Sequence, residues 1–286
     1  MFKKVLVTKA EGNKEPFSVS KLRKSMIDSG ASTKLIDDII GKIKSHIDQG
    51  VSTAKIHQLA FGMLKSANQS FAARYNLKKA IMRLGPDGFP FEKYFAELLR
   101  HLDYKVKTNV IVQGKCISHE VDLIAEKPKE GIHAIIEAKF HSRPGRKTGS
   151  KDALYTYGRF LDIQDQWQRK VKKGAKPKNA KLESWLVTNT EMTSNAIHYC
   201  KCVGIKVIAW SYPDNQKSLQ GMVHHQGLYP VTALLSLNEY QKKQLLKKQV
   251  IMCSQLVSKD KRLNSLGLKN KTKIIEEANN LCGEHK

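Results

Sequence analysis

The sequence predicts an α/β protein built from more than one domain. A chain of 286 residues suits two or three domains. In the central part, β-branched runs alternate with helical patterns, which is typical of a sheet covered by helices. The segments before and after this centre show different patterns. We therefore expect three domains, over residues 1–85, 86–225 and 226–286.

The first segment predicts a small α+β domain. KKVLVTKAEGNKEPF indicates a strand, a turn at Gly12 and Asn13, and a second short strand that ends near Pro16. Ser18 or Ser20 can cap the helix that follows. Helical patterns then cover residues 20–29, 33–48 and 52–67.

This layout resembles the ATP-cone, the nucleotide-sensing domain of ribonucleotide reductases and of their transcriptional repressor. The matching residues are Val7, Lys9, Gly12, Glu15, Pro16, Phe17, Lys21 and Leu22. The resemblance implies ATP or dATP as an effector bound at Val7, Lys9 and Lys21, with the two lysines on the triphosphate. Ala10 replaces an Arg that is usual in the family, which removes one phosphate-binding guanidinium. The alternative is a retained scaffold that contacts protein or DNA.

A short junction leads into the central segment. The stretch from Leu84 to Gly88 breaks the preceding helix and forms a turn. The next pattern, FPFEKYFAELLRHLDYKV, predicts a helix from Phe89 to Val106. Its apolar residues recur at helical spacing and form one face. So short a junction should let one domain bias the orientation of the other.

Two β-branched runs between His119 and Phe140 predict a β-hairpin whose turn contains Pro128 and Gly131. Both runs carry charge where a buried strand should be apolar. Residues two apart share a face of a strand, which pairs Glu120 with Asp122 and Glu137 with Lys139. Buried charges are retained when they are paired or bind a metal. We therefore expect Asp122, Glu137 and Lys139 to converge on the sheet surface.

The hairpin resembles the active site of PD-(D/E)xK nucleases, in which an acidic residue on one strand precedes (D/E)-x-K on the next. Here the motif is Asp122 followed by Glu137, Ala138 and Lys139. FPFEKYFAELLRHLDY resembles the opening helix of Mrr-like restriction endonucleases, whose helix Glu often joins the metal site. By position that residue is Glu92 rather than Glu97. The hairpin also resembles relatives of Holliday-junction resolvases.

The resemblance implies a metal-dependent phosphodiesterase. Asp122 and Glu137, with the carbonyl of Ala138, would bind Mg²⁺ or Mn²⁺, because these hard cations prefer oxygen ligands. Lys139 would position the attacking water or stabilise developing charge. Glu120 is either an outer ligand or a solvated charge at the rim.

The sequence after the hairpin predicts a helix over Gly149–Lys173, either continuous or broken, then a strand, a helix that ends at Gly204, and another strand. That order implies a parallel pair in the sheet. Arg159 in the first helix either contacts phosphate or forms a surface ion pair. The basic loop KKGAKPKNAK either follows a DNA backbone or simply connects two elements.

Residues 226–286 predict a small helical domain with a helix stop at Gly267. LGLKNKTKIIEEA resembles the second half of a helix-hairpin-helix unit, which binds DNA phosphates without reading sequence. The alternative is a helical domain for packing or oligomerisation.

The formal net charge is +24, and each of the three segments carries a positive excess, which favours a polyanionic partner such as DNA. The five cysteines lack paired CxxC spacing, so they predict neither a zinc ribbon nor a disulfide framework. No apolar run has the length of a membrane span and no signal peptide is evident, so we expect a cytoplasmic location.

Together, these resemblances imply a metal-dependent DNA endonuclease that responds to a nucleotide, and the resemblance to Mrr-like proteins implies a role in restriction or defence. The ATP-cone followed by the nuclease opening resembles a bacterial family of two-module, Mrr-like proteins. Cleavage of both DNA strands by one active site per chain favours a homodimer. The alternatives are a nuclease fold that binds DNA without cleaving it and a Holliday-junction-type resolvase.

Overall fold

The computed structural model of the protein describes residues 5–174, 180–257 and 270–283. The chain divides into two compact units. The first contains Met1–Ile81, Arg143–Gly145 and Gln226–Lys286, and the second contains Met82–Ser142 and Arg146–His225. The amino- and carboxyl-terminal segments thus share one unit. The division into three domains at residues 85 and 225 stays a prediction.

The predicted small α+β layout opens the first unit. Its elements are the strands β1 (Leu6–Thr8) and β2 (Lys14–Pro16) and the helices α1 (Val19–Ile27), α2 (Thr33–His46), α3 (Thr53–Ala67), α4 (Gln69–Tyr75) and α5 (Leu77–Met82). The two strands are antiparallel, and the backbone of Gly12 in their turn has a φ of +86°. Of the two candidate caps, Ser18 is the one that accepts a hydrogen bond from the Lys21 amide.

The apolar faces of α1, α2 and α3 form the core of this part. Met26, Ile36, Ile43 and Leu64 are fully buried or nearly so. Leu235, from the carboxyl-terminal segment, packs against the same cluster. Apolar residues from both ends of the chain therefore contribute to one core, and their burial stabilises the unit.

The second unit is a mixed sheet with helices against it. Its elements are α6 (Phe89–Arg100), β3 (Lys105–Gln113), β4 (Ser118–Lys127), β5 (Ile132–Lys139), β6 (Lys147–Thr148), α7 (Ser150–Lys172), β7 (Lys181–Thr188), β8 (Glu191–Met192), α8 (Ser194–Cys202), β9 (Lys206–Ile208) and α9 (Leu219–Gln226). The five-stranded sheet has the order β3-β4-β5-β7-β9. Strands β3, β4 and β5 are antiparallel neighbours, whereas β5, β7 and β9 are parallel. The predicted hairpin is therefore β4–β5, and the predicted parallel pair is β7–β9.

The predicted helix over Phe89–Val106 is too long. Helix α6 ends at Arg100, and Asp103 in the following turn has a φ of +64°. Lys105 then begins β3, which the sequence analysis did not predict. Residues alternate between exposed and half-buried along β3, which is typical of a strand at the edge of a sheet. Helix α7, by contrast, is continuous over its 23 residues.

The described part of the carboxyl-terminal segment contains helices, as predicted. Its helices are α10 (Glu239–Lys247), α11 (Cys253–Val257) and α12 (Lys271–Gly283). Gly267 and the hairpin of the suggested DNA-binding unit lie outside the described residues, as do residues 175–179 of the loop KKGAKPKNAK. Within the described ranges, no helix is long and apolar enough to cross a membrane.

Candidate active site on the central hairpin

The hairpin β4–β5 lies at the centre of the sheet and positions the predicted site residues. Leu123 pairs with Ile136 in the antiparallel register. The next pair of opposing residues in this register is Asp122 and Glu137, which therefore lie side by side on the same face of the sheet. Lys139 shares that face, because alternate residues of a strand point the same way. The left-handed backbone of Gly131, with a φ of +68°, ends the turn between the two strands.

Asp122 is a half-buried carboxylate. Its Oδ2 accepts a hydrogen bond of 2.7 Å from the amide of Ala138. Burial raises the pKa of Asp122, and the negative charge of Glu120 acts in the same direction. The Ala138 amide and the charges of Arg159 and Lys139 oppose that rise. The Asp122 carboxylate is thus fixed across the hairpin, next to the backbone of the residue predicted to offer a metal ligand.

Glu137 and Arg159 form a buried ion pair. Their residues are only 7% and 8% exposed, and the Arg159 guanidinium donates from Nη2 to Glu137 Oε2. Arg159 Nη1 donates to the carbonyl of Glu120 at 2.7 Å. The arginine is therefore an ion-pair partner, as one of the two sequence interpretations held, but it lies in the interior of the unit. Helix α7 thereby ties both strands of the hairpin together.

Lys139 lies between two carboxylates. Its Nζ is 3.6 Å from Glu137 Oε1 and 3.6 Å from Asp152 Oδ1. Asp152 also accepts a hydrogen bond of 3.2 Å from the Gly149 amide at the start of α7. Asp152 was not predicted as a site residue, although an acidic residue in the first turn of a helix is a signal that the sequence shows. The ammonium group is thus held in place at the end of β5.

Glu92 lies in the first turn of α6, and burial raises its pKa to about 7. The charges of Asp122 and Glu120 add to that shift, so Glu92 lies within electrostatic range of the hairpin carboxylates. Glu97 instead forms a surface pair with Arg100, with 2.7 Å between Oε1 and Nη1. The structure therefore brings Glu92 towards Asp122, and it leaves Glu97 outside the cluster.

The donor chemistry of this site fits a hard divalent cation. The charges of Asp122 and Glu120 raise the pKa of Glu92, and the charge of Glu120 also raises the pKa of Asp122. A cation at this position would offset that repulsion. Both Glu137 oxygens already face cationic side chains. Within the described ranges, no group of three or more His, Cys, Asp or Glu side chains is arranged to hold a metal ion.

A hydrogen-bonded network fixes the carboxyl end of β5. The side chain of Asn189 accepts from the amide of His141 and donates to its carbonyl, both at 2.8 Å. The His141 ring lies 3.0 Å from the hydroxyl of Thr148, which donates to the Thr188 hydroxyl at 2.9 Å. Burial lowers the pKa of His141. These residues come from strand ends that the sequence does not show to be adjacent, so the sequence analysis missed them.

The residues predicted to bind a nucleotide lie in the first unit. Val7 is buried in the core, which leaves only its backbone for a ligand. Lys9 Nζ is 2.9 Å from Glu15 Oε2, and Lys21 Nζ is 3.9 Å from Glu15 Oε1. The hydrogen bond from Lys9 is the main reason that the pKa of Glu15 is lowered. The two lysines therefore converge on one carboxylate.

Comparison with known proteins identifies an archaeal relative. An uncharacterized protein of Archaeoglobus fulgidus is 36% identical over 191 residues, which are 66% of this chain and 99% of that protein. A family model described as AF1548-like, C-terminal, matches residues 229–282. The crystal structure of the protein of unknown function AF1548 is 34% identical, covers 69% of this chain and 99% of its own, and has a TM-score of 0.54.

Two more distant structures also match. Can2 from Sulfobacillus thermosulfidooxidans, in complex with cyclic tetra-adenylate, is 14% identical, with a TM-score of 0.32 over 75% of this chain and 62% of its own. The MspJI restriction endonuclease, in complex with a 27-mer oligonucleotide, is 13% identical, with a TM-score of 0.31 over 82% of this chain and 45% of its own. At these values no inference about this chain rests on either structure.

Proposed function

We propose that this chain, which belongs to the AF1548-like family, is a metal-dependent endodeoxyribonuclease of the PD-(D/E)xK type. The relative's function is unknown, so the proposal rests on residues of this chain. The observation that carries it is the arrangement of Asp122, Glu137 and Lys139 on one face of β4–β5, with Glu92 beside them. Carboxylates that can hold a divalent cation, with an ammonium group near them, suit metal-dependent hydrolysis of a phosphodiester.

Each residue would have a distinct role. Asp122, Glu137 and the Ala138 carbonyl would hold a divalent cation, which supplies charge for polarising the phosphate and activating water. Lys139, held by Glu137 and Asp152, would donate to the attacking water or to the phosphate oxygens. Glu92, with a pKa of about 7, can exchange a proton at neutral pH.

The overall charge supports a polyanionic substrate. A formal net charge of +24 would attract DNA, because lysines and arginines displace the cations that surround its phosphates. Double-strand cleavage would additionally call for two active sites, and so for a homodimer. A role in restriction or defence belongs to the same proposal.

A second candidate is a nuclease fold that binds DNA without cleaving it. The observation that favours it is that Arg159 and Lys139 occupy both oxygens of Glu137. A carboxylate so paired must exchange a cationic partner for a metal before it can act as a ligand. If that exchange is too costly, the site would bind phosphate through Lys139 and leave the bond intact.

Plasmid cleavage with Mg²⁺ or Mn²⁺ distinguishes these candidates. We expect wild-type protein to nick or linearise the plasmid, and Asp122→Asn and Lys139→Met to lose roughly 100-fold or more in rate while still binding DNA. Glu97→Gln is the matched control for Glu92→Gln on the same helix, and it should cleave normally. Binding with no cleavage of plain, methylated or branched DNA by the wild type would favour the second candidate.

The nucleotide effector is a separate part of the proposal. The convergence of Lys9 and Lys21 on Glu15 supports it, because two ammonium groups at one position suit a triphosphate. We expect ATP or dATP to raise the melting temperature of the wild type, and Lys9→Gln to abolish that shift. Lys14→Gln, at an exposed position on β2, is the control. If Lys14→Gln also loses the rise in melting temperature, or if the wild type shows no rise, nucleotide binding at this site is contradicted.

A further inference from the structure

Two cysteines that are distant in sequence meet in the first unit. Cys253 begins α11 and is fully buried, and Cys282 lies near the end of α12 and is half-buried. Helix α11 packs against α12, and each of the two thiols affects the ionisation of the other. The Cys253 amide donates to the carbonyl of Tyr229 at 2.9 Å, and its Sγ lies 3.3 Å from the carbonyl of Pro230. The segment that begins at Tyr229 is thus fixed against both cysteines.

The surroundings of the two sulfurs differ. The neighbouring Cys253 thiol, a backbone amide at Tyr229 and the charge of Arg74 lower the pKa of Cys282. Burial raises the pKa of Cys253 well above its usual range. A thiolate is the reactive form of cysteine, so Cys282 is suited to react first with an oxidant. Cys253 is suited to react second, as a neutral thiol.

The other cysteines lack this arrangement. Burial raises the pKa of Cys200 to about 11, which keeps its thiol protonated. Cys116 is exposed on the β3–β4 turn, where a hydrogen bond with Asp162 raises its pKa. Cys202 is exposed on α8. In the described part of the chain, Cys253 and Cys282 are therefore the thiols placed to react with each other.

We propose that Cys253 and Cys282 form a reversible disulfide when the protein is exposed to a hydroperoxide. The Cys282 thiolate would attack one peroxide oxygen, which breaks the O–O bond, gives a sulfenic acid and releases hydroxide or alkoxide. The Cys253 sulfur would then attack the Cys282 sulfur, and the sulfenic oxygen would leave as water with the Cys253 proton. Overall, two thiols lose two hydrogen atoms and the peroxide gains them.

The bond would lie within the segment that matches the AF1548-like model. That match runs over residues 229–282, so Tyr229 and Cys282 are its ends, and Cys253 lies between them. Arg74 already donates to the carbonyls of Asn280 and Leu281 at 3.2 and 3.3 Å. Oxidation would add a covalent tie between α11 and α12 to this anchor. The inference is independent of the proposed nuclease activity.

The test is peptide mapping of the full-length chain after hydrogen peroxide treatment. We expect the intact protein to lose the mass of two hydrogen atoms and to yield a Cys253–Cys282 cross-linked peptide, both reversed by dithiothreitol. Oxidation should raise the melting temperature of the first unit by about 5 °C, because the cross-link closes a loop. Cys282→Ser should lose the cross-link, whereas the control Cys116→Ser should keep it.

Other outcomes would overturn the proposal. One is oxidation of Cys282 to a sulfinic acid while Cys253 stays reduced. Another is a cross-link that uses Cys116, Cys200 or Cys202, and a third is no reaction at either cysteine. Should Cys282→Ser fail to fold, as judged by circular dichroism, the wild-type peptide map alone decides among these results.

Discussion

Glu137 is a buried carboxylate whose charge is balanced mainly by Arg159. Removing one partner of such a pair leaves the other desolvated and uncompensated. We therefore expect Arg159→Met to lower the free energy of unfolding by about 3–5 kcal/mol. Arg100→Met, which breaks the exposed pair with Glu97, should cost less than about 1 kcal/mol. Urea unfolding checks both variants, and equal losses would show that Arg159 is not held as described.

Glu92 makes stability depend on pH in a direction that can be worked out. Its pKa is raised to about 7 in the folded protein, so the folded state binds more protons than the unfolded state. The proton-linked stability is fully present below the usual glutamate pKa of 4.5 and is lost as the pH rises through 7. Glu92→Gln removes this loss.

Without added metal, Glu92→Gln should therefore be more stable than the wild type at pH 8 by about 1 kcal/mol, a value reduced for solvent screening of a half-exposed group. The gain should shrink towards zero by pH 4.5. Urea unfolding at the two pH values measures the difference. A gain of the same size at both would mean that Glu92 does not titrate near 7.

The residues with a fixed spacing could be predicted from the sequence. Glu137 and Lys139 share a face because alternation along a strand is a local rule. Asp122 joins that face through the register of the hairpin. For Arg159 the sequence predicted an ion pair as one of two roles but not its partner, since a charged residue on a helix does not show which strand the helix covers. Asp152 and Asn189 act through contacts between distant segments, and no local pattern indicates those contacts.

At the scale of elements, α7 holds the β3–β4 turn through Asp162. Its carboxylate accepts from the amide of Cys116 at 2.8 Å and lies 2.8 Å from His119 Nε2. These bonds, led by that of His119, lower the pKa of Asp162. A Cβ added at Gly114 would lie 2.1 Å from Asp162 Oδ2 and 2.8 Å from the Ile117 carbonyl. The turn therefore has no space for a larger residue.

We expect Gly114→Ala to lower the free energy of unfolding by about 2 kcal/mol, since the new methyl overlaps a carboxylate fixed by several hydrogen bonds. Gly158→Ala is the matched control. It lies within α7, where an added Cβ meets no atom within 4 Å, and it should stabilise the protein by about 0.5–1 kcal/mol. Thermal unfolding of both variants is the measurement. A neutral Gly114→Ala would show that the turn adjusts.

There is a physical reason why strand β3 could not be predicted from the sequence. Residues 101–106 continue the helical spacing of α6, but the positive φ of Asp103 ends the helix. Residues of the strand that follows, β3, alternate between exposed and half-buried because only one side of it is covered. A strand at a sheet edge gives a weaker signal than the apolar runs of β5 and β7.

At the scale of the whole molecule, the two ends of the chain were the least predictable. The Arg74 guanidinium on α4 donates to carbonyls of α12, and the Thr232 hydroxyl donates to the Ala80 carbonyl at 2.7 Å. Each bond joins residues more than 150 positions apart. Amphipathic helices show which face is buried, yet they do not show which partner covers it. Segments that look like separate domains in sequence thus share one unit.

The net charge of +24 leads to a prediction for the whole chain. If DNA phosphates replace counterions at many lysines and arginines, the affinity for DNA should fall steeply with salt. Between 50 and 200 mM NaCl we expect a loss of roughly 100-fold or more for a duplex of any sequence, measured by fluorescence anisotropy without divalent metal. Asp122→Asn should show the same slope, because it changes the proposed chemistry and leaves the basic surface intact. A nearly flat salt dependence would mean that the charge serves something other than a nucleic acid backbone.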